Sequence, residues 1–234
     1  MVAALLLAAP AVALDGARDR DNPTCPPLST MSVGQTYSMQ FRAESHDGRR
    51  VLIADGGVGL FAAQALETAL KANAPIDEIW LNSPGGLAAE GLSAGRLIRR
   101  LGIPTRVPDT AWCASACTFI FLGGSVRQVD PQGVFAVHMF TEVKDDPRLA
   151  EAIRDSYRNG GMERLTATIA RIEQDAAEIS SAQNDFLIRM GVSRRLLTDF
   201  AYRQKSMRNG TVDTSTLRCL TGAEMRDLNV INVR

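Results

Sequence analysis

The chain has 234 residues, of which 45% are hydrophobic and 22% charged, an ordinary composition for a globular protein with a well-buried core. Its 26 basic and 26 acidic side chains balance. No overall field therefore favours nucleic acid or an anionic membrane surface, and we expect neither as a partner.

The chain begins with an apolar run from Val2 to Leu14, which contains the small-residue motif Ala11-Val12-Ala13. This pattern is typical of a signal peptide, here over residues 1–14, although the usual basic residues ahead of the run are missing. At about 13 residues the run is too short to cross a bilayer. We therefore predict an exported, periplasmic protein without an integral membrane segment. An apolar N-terminus buried in the fold is the alternative.

Residues 15–36 are rich in proline, serine and charge and predict an irregular arm. Alternating or apolar runs then predict strands over 37–42, 50–54, 76–81, 103–107, 126–129 and 133–139, while helical spacing predicts helices over 59–72, 87–101 and 115–122. Such alternation predicts an α/β domain over 37–234 with a mainly parallel sheet flanked by helices.

The last third of the chain has a different pattern. From about 145 to 190 it is helical and strongly charged, with Gly160-Gly161 as a predicted break. Ser193 and Thr221 are predicted N-caps of two further helices, ending near 202 and 228. A short strand is predicted over 230–233. We interpret 145–190 as a helical excursion from a single domain.

The chain has four cysteines: Cys25, Cys113, Cys117 and Cys219. An even number in an exported chain favours disulfides. A bridge between Cys113 and Cys117 fits a tight local turn, and it leaves Cys25 to pair with Cys219. Four buried free thiols are the alternative. A zinc site is disfavoured because the chain has only two histidines to complete a ligand set, so we expect no metal and no cofactor.

The most informative motif is Trp112-Cys113-Ala114-Ser115-Ala116-Cys117, between a strand-like run and a small-residue helix. A serine at a helix start has its hydroxyl near free backbone N–H groups. Upstream, Asn82-Ser83-Pro84-Gly85-Gly86 is a turn whose glycines let backbone amides approach a ligand closely. Downstream, a hydrophobic strand ends in His138. Glycine turn, serine and histidine in this order predict a serine hydrolase; an ordinary helix N-cap is the alternative for the serine.

With these motifs aligned, the chain resembles the Clp protease proteolytic subunit and its exported relatives in the ClpP/crotonase superfamily. The matching residues are Leu81 to Gly86, Gly91, Ala114 to Ala116, Leu122 to Gly124, His138, and the closing segment Cys219 to Ile231. The resemblance covers roughly 51–233, and the stretch at 145–190 matches poorly. It implies repeated β-β-α units with a mainly parallel sheet and flanking helices.

The resemblance also implies a serine endopeptidase. Ser115 is then the nucleophile and His138 the general base, and the backbone N–H groups of Gly85 and Ala116 form the oxyanion hole. The implied substrate is a peptide or an unfolded protein. A homo-oligomer is left open, because the family uses the corresponding helical region to pack subunits into rings. We expect no energy-dependent unfoldase outside the cytoplasm.

The third triad member is the weak point of this assignment. The aspartate of the family aligns with Leu217. Asp213 is the nearest acidic candidate and Asp199 a more distant one, while a Ser–His dyad or an inactive site needs neither. A catalytically impaired ClpP-like scaffold or binding protein is therefore the alternative function. A crotonase-type acyl-CoA enzyme ranks last, because an exported chain does not meet cytosolic thioesters.

Overall fold

The computed structural model describes residues 24–26, 38–138, 147–201 and 217–233. Its strands are β1 Gln40–His46, β2 Arg49–Asp55, β3 Glu78–Asn82, β4 Thr105–Val107, β5 Trp112–Ala114, β6 Arg127–Val129, β7 Val134–His138 and β8 Leu217–Cys219. Its helices are α1 Ala62–Asn73, α2 Ala88–Leu101, α3 Ala116–Leu122, α4 Pro147–Arg189 and α5 Gly222–Asp227, with a π-helical segment at Leu196–Ala201. The predicted signal peptide and most of the predicted arm lie outside the described residues.

The strands form two sheets. The larger has five strands in the order β1-β2-β3-β4-β6, with β1 antiparallel to β2 and the other neighbours parallel. The smaller has the order β5-β7-β8, with β5 parallel to β7 and β8 antiparallel to β7. Parallel neighbours need crossover connections, and α1 and α2 supply them between β2 and β3 and between β3 and β4. The predicted α/β fold with a mainly parallel sheet and flanking helices is confirmed.

The core lies where α1, α2 and α3 pack on the five-stranded sheet. Alternate residues of β2 and β3 are buried there, namely Leu52, Ala54, Ile79 and Leu81. Helices α2 and α3 come unusually close, because a Cβ atom on Gly91 would lie 2.4 Å from the Ala116 carbonyl oxygen and one on Gly95 would lie 2.3 Å from that of Phe119. This contact fixes the start of α3, the residue directly after Ser115.

One helix differs from its predicted form and another confirms it, in each case because of a single residue. Helix α1 begins at Ala62 rather than near 59, because Phe61 has a left-handed φ of 63°. Helix α4 contains the predicted break, since Gly161 has φ 61° and ψ −153°. The Thr168 hydroxyl donates to Ser156 Oγ at 3.0 Å, so the two halves of α4 lie side by side.

Within the described ranges, no helix combines the length and the apolar character that a membrane crossing requires.

The C-terminal segment corrects one prediction and confirms another. Thr221 caps α5 in a capping box with Glu224, as predicted. The strand predicted over 230–233 is wrong, because the segment has no strand geometry. The buried Arg127 guanidinium instead donates to the carbonyl oxygens of Asn229 and Val230, both at 2.8 Å. Burial lowers the pKa of Arg127 to about 10.

Candidate active site

Ser115 joins β5 to α3 in a conformation that residues with side chains rarely adopt. Its φ is 55° and its ψ is −126°. Its hydroxyl makes no capping bond to α3, so Ser115 is not an ordinary N-cap, whose side-chain oxygen accepts from the first helical turn. A sharp strand-to-helix turn of this kind presents a serine hydroxyl as a nucleophile. We call residues Cys113–Cys117 the nucleophile turn.

Bonds on both sides hold the nucleophile turn. The Ser115 N–H donates to the Ala136 carbonyl oxygen at 3.2 Å, and the Ser115 carbonyl oxygen accepts from the Thr118 N–H at 2.9 Å and from Thr118 Oγ1 at 2.6 Å. Cys113 and Cys117 form a disulfide across the turn, with their Cα atoms 5.3 Å apart. The second disulfide joins Cys25 to Cys219, so the predicted pairing is confirmed.

The glycine turn, Ser83–Gly86, lies directly against the nucleophile turn. The Ser83 N–H donates to the Trp112 carbonyl oxygen at 2.6 Å, and the Ala114 N–H donates to the Ser83 carbonyl oxygen at 3.1 Å. Gly85 has φ 96°, and a Cβ atom there would lie 2.5 Å from Ser115 Cβ. Only glycine allows the two turns to approach this closely.

The amides of the two turns differ in availability. The Gly85 N–H already donates to Ser83 Oγ at 3.1 Å, in the buried part of the turn. Neither the Gly86 N–H nor the Ala116 N–H makes a hydrogen bond to another residue in the described part of the chain. Of the two predicted oxyanion donors, Ala116 is thus available and Gly85 is occupied. The free amide that sequence reasoning did not single out is that of Gly86, and the signal for it was Ser83, whose hydroxyl can accept from the amide two residues later.

His138 and Ser115 lie at the same edge of the smaller sheet. Strands β5 and β7 are parallel, with Ala114 opposite Ala136. Ser115 follows the end of β5, and His138 is the last residue of β7 and is partly exposed. Parallel strands end at a common edge, so the fold brings the predicted nucleophile and the predicted base to one side of the molecule.

On the other side of β7, His138 is the cross-strand partner of Leu217 in β8. The position that aligns with the aspartate of the family is therefore adjacent to the histidine, yet it holds an apolar side chain. Leu217 packs against the cluster around the Cys25–Cys219 disulfide. An acidic side chain at position 217 would lie beside His138. Because that residue is a leucine, a carboxylate near His138 must come from another residue.

The two acidic candidates stand differently. Asp213 lies outside the described residues, so its role stays a prediction. Asp199 lies on the π-helical segment, which packs against β7 and β8. Its carboxylate accepts from Arg195 Nε at 2.7 Å. Asp199 is thus already engaged in an ion pair four residues along its own segment.

Two other kinds of site are relevant in the described residues, an apolar groove and a metal site. A shallow, mainly apolar groove of about 470 Å³ runs between α1 and β1 and is lined by Phe41, Phe61, Ala65 and Ala69 among others. It includes none of the residues of the two turns. In the described ranges, no three His, Cys, Asp or Glu side chains cluster in a way that suits a metal ion.

No family model and no curated protein matches the chain. Among solved structures, the chain is similar to a mutant of ClpP1 from Listeria monocytogenes, with 18% identity, 78% of this chain and 88% of that chain covered, and a TM-score of 0.42. It is also similar to a mutant of the 1510-N membrane-bound stomatin-specific protease, with 14% identity, 78% and 76% covered, and a TM-score of 0.44. Both likenesses are distant in sequence and in structure. The function proposed below therefore rests on the residues of this chain.

Proposed function

We propose that the protein is a serine peptidase in which Ser115 is the nucleophile. The observation that carries this proposal is the Ser115 backbone, whose φ of 55° and ψ of −126° place a serine in a strained strand-to-helix turn. Strain of this kind costs of order 1–3 kcal/mol and concentrates at functional sites. A serine whose only task was to cap α3 would adopt extended backbone geometry and bond its hydroxyl to the helix, and Ser115 does neither.

The neighbouring groups suit acyl transfer. In this proposal His138 takes the Ser115 proton as Oγ attacks the peptide carbonyl carbon, and it then gives that proton to the leaving amine. The N–H groups of Ala116 and Gly86, with Gly86 in place of Gly85, donate to the oxyanion. Losing one such donor typically lowers the rate by about 10² to 10³. Water then hydrolyses the acyl-enzyme through the same base.

We assign the orienting carboxylate to Asp213. The support comes from the sequence: Leu217, the cross-strand partner of His138, lacks an acid, and Asp213 is four residues earlier in the chain. A carboxylate bonded to the imidazole selects the tautomer that can accept the serine proton.

The proposed substrate is a peptide or an unfolded protein segment, and the proposed compartment is the periplasm or another exported location. Two disulfides that together engage all four cysteines support an oxidising compartment, because cytosolic proteins keep their thiols reduced. Assembly into a homo-oligomer is part of the proposal on the strength of the ClpP resemblance.

The test is proteolysis of an unfolded substrate. Oxidised protein is incubated with fluorescein-labelled casein, alongside Ser115→Ala and a matched control, Ser125→Ala. Ser125 follows the C-terminal end of α3, the end opposite Ser115, and its hydroxyl donates to the Gly102 carbonyl oxygen just after α2. We expect Ser115→Ala to abolish peptide release and Ser125→Ala to retain it. Equal release by the parent protein and Ser115→Ala contradicts the proposal.

A second function, a peptide-binding protein without turnover, is favoured by one observation: the apolar Leu217 beside His138. It predicts that the parent protein and Ser115→Ala bind labelled casein equally and that neither cleaves it. Fluorescence anisotropy with the same labelled substrate measures that binding. Cleavage that depends on Ser115 excludes this second function.

A further inference from the structure

The two disulfides close loops of very different size. Cys25 and Cys219 are 194 residues apart in sequence, whereas Cys113 and Cys117 are four apart. A cross-link restricts the unfolded chain more as the loop lengthens, so the short bridge contributes least through the unfolded state. We therefore expect the Cys113–Cys117 bridge to act mainly on the conformation of the folded protein.

In the folded protein this bridge joins two elements that are each held elsewhere. Cys113 is the middle residue of β5, paired with Phe135 on one side and bridged to Ser83 on the other. Cys117 lies in the first turn of α3, beside the close contact of Ala116 with Gly91. The disulfide thus links the strand to the helix across Ser115, the single residue between the end of β5 and the start of α3.

The contact with α2 positions the start of α3, but the backbone of the preceding Ser115 is strained and gains from a further constraint. The helix has seven residues, and its N-terminal residue offers no side-chain capping bond. An uncapped end of a short helix frays readily. Fraying here would let Ser115 relax from its positive φ and its ψ of −126° to ordinary values, and a change in ψ at Ser115 rotates the following peptide, which carries the Ala116 N–H.

The bridge is also shielded. Cys113 and Cys117 are both 0% exposed, so neither sulfur is accessible to a thiol from solution. Thiol–disulfide exchange requires access to a sulfur, and a buried bridge is therefore suited to a constant mechanical role rather than to exchange.

We propose that the Cys113–Cys117 disulfide is the positioning element of the nucleophile: it holds Ser115 in its strained conformation and keeps the Ala116 N–H directed at the site. The consequence for catalysis rests on the proposed peptidase function, whereas the consequence for the Ser115 backbone does not. The two cysteines touch no substrate and act through Ser115 and Ala116.

The first test measures the turn itself by amide hydrogen exchange. Cys113→Ala/Cys117→Ala is compared with the parent protein and with the matched control Cys25→Ala/Cys219→Ala. We expect exchange at the Ser115 and Thr118 amides to accelerate at least tenfold in the first variant, relative to the buried Leu81 amide in β3 as an internal standard. The control variant leaves that ratio unchanged. Equal ratios in all three proteins overturn the proposal.

The second test applies even if the variant without the bridge folds poorly. It distinguishes loss of the constraint on the Ser115 backbone from loss of side-chain packing at the two cysteines. Ser115→Gly removes the strain, because glycine adopts a positive φ freely, while Ser115→Ala keeps it. In the Cys113→Ala/Cys117→Ala background, Ser115→Gly is therefore expected to restore folding or raise the melting temperature by several degrees, and Ser115→Ala is not. Identical melting temperatures for the glycine and alanine versions overturn the proposal.

The catalytic consequence is measured with a fluorophosphonate probe at several concentrations. The limiting rate of Ser115 modification is expected to fall at least tenfold in Cys113→Ala/Cys117→Ala, with the half-saturating probe concentration within twofold of the parent value. An unchanged limiting rate overturns the catalytic part of the proposal. If the parent protein is not modified at Ser115, the peptidase function fails, and the exchange and melting results still decide the role of the bridge.

Discussion

The two halves of the proposed site, the nucleophile half around Ser115 and the histidine half around His138, are built differently. Around Ser115, the disulfide, the contact with Gly85 and the bond to Ala136 all restrict the same few backbone atoms. Around His138, the cross-strand neighbour that aligns with the family's acid is Leu217. Several contacts therefore act together on the first half, and the second holds its histidine without a carboxylate from β8.

The two halves therefore support different conclusions, one about the conformation of the serine and the other about its reaction. A strained backbone persists only where several contacts enforce it, so the nucleophile half indicates that the serine geometry is maintained. In the proposed mechanism, the histidine half sets how fast that serine reacts. Substitutions on each side should therefore have different consequences, and they are ordered here by the expected loss of Ser115 reactivity.

The largest loss is expected for Gly85→Ala. An added Cβ atom would lie 2.5 Å from Ser115 Cβ and 2.6 Å from the Ala114 carbonyl oxygen, so the two turns must separate. We expect fluorophosphonate labelling to fall by at least about 10³, since both nucleophile and oxyanion donors move. The matched control is Gly102→Ala. Gly102 also has a positive φ of 68°, but no atom lies within 4 Å of its added Cβ.

Gly102→Ala is expected to cost only the backbone penalty, about 1 kcal/mol, and to label at the parent rate per folded molecule. Labelling and thermal melting are measured on the same samples. If Gly85→Ala and Gly102→Ala label equally, the close approach of the glycine turn is not needed for Ser115 reactivity. The proposed difference between the two halves of the site is then wrong.

The next loss is expected for Asp213→Asn. If this carboxylate orients His138, its amide holds the wrong tautomer, and labelling falls by about 10² or more. The register suggests a rescue, because Leu217 is directly opposite His138 and cross-strand Cβ atoms lie about 4.5–5.5 Å apart. Leu217→Asp in the Asp213→Asn background is therefore expected to recover at least tenfold. Asp199→Asn, whose carboxylate is paired with Arg195, serves as the control.

A loss confined to Asp199→Asn transfers the role to that residue. No loss in either variant leaves a Ser–His dyad. Rates are measured across pH, because loss of the orienting acid changes the proton affinity of the base as well as the rate.

A smaller loss is expected for Ser83→Ala. The Ser83 hydroxyl accepts the Gly85 N–H at 3.1 Å in a buried turn, so alanine leaves that amide without a partner. An unsatisfied buried donor costs about 1–3 kcal/mol, which destabilises the turn that also carries the Gly86 amide. We expect labelling to fall about tenfold with little change in the apparent affinity for the probe. Ser125→Ala is the control and is expected to keep the parent rate, because the Ser125 hydroxyl bonds to Gly102, beyond the end of α2 that lies away from the glycine turn.

The smallest effect on reactivity is expected for Arg127→Leu, which instead tests the framework. The buried guanidinium donates to Val230 and Asn229 as well as to the carbonyl oxygens of Gly124 and Met190. Leucine leaves these buried acceptors without donors, so the free energy of unfolding should fall by about 3–5 kcal/mol. Chemical denaturation measures that change. Labelling per folded molecule is expected to stay within about twofold.

Much of the fold was accessible from the sequence because local patterns and packing agree. The apolar alternation of β2 and β3 and the spacing of α1 and α2 each match the buried face that the structure places on the core. Cysteine spacing gave both disulfides, and the capping pattern at Thr221 gave α5. The strand predicted at 230–233 failed, because distant Arg127 bonds that segment through its guanidinium and no local pattern carries such information.

The candidate site was less accessible, for a similar reason. Ser115 and His138 follow from motifs that sit at strand ends. The choice between Gly85 and Gly86 as a donor depends instead on one bond, from the Gly85 N–H to the Ser83 hydroxyl, which the motif leaves undetermined. The meaning of Leu217 likewise appears only with the register of β7 and β8, since β8 has three residues and no periodicity of its own.

The central claim is that Ser115 is a nucleophile, and covalent labelling tests it most directly. Oxidised protein is treated with a fluorophosphonate, digested and mapped by mass spectrometry. We expect a single adduct on the peptide that holds Ser115, absent from protein unfolded before treatment and from Ser115→Ala. A folded protein with both disulfides intact that carries no adduct at Ser115, or an adduct that persists in Ser115→Ala, would contradict the account.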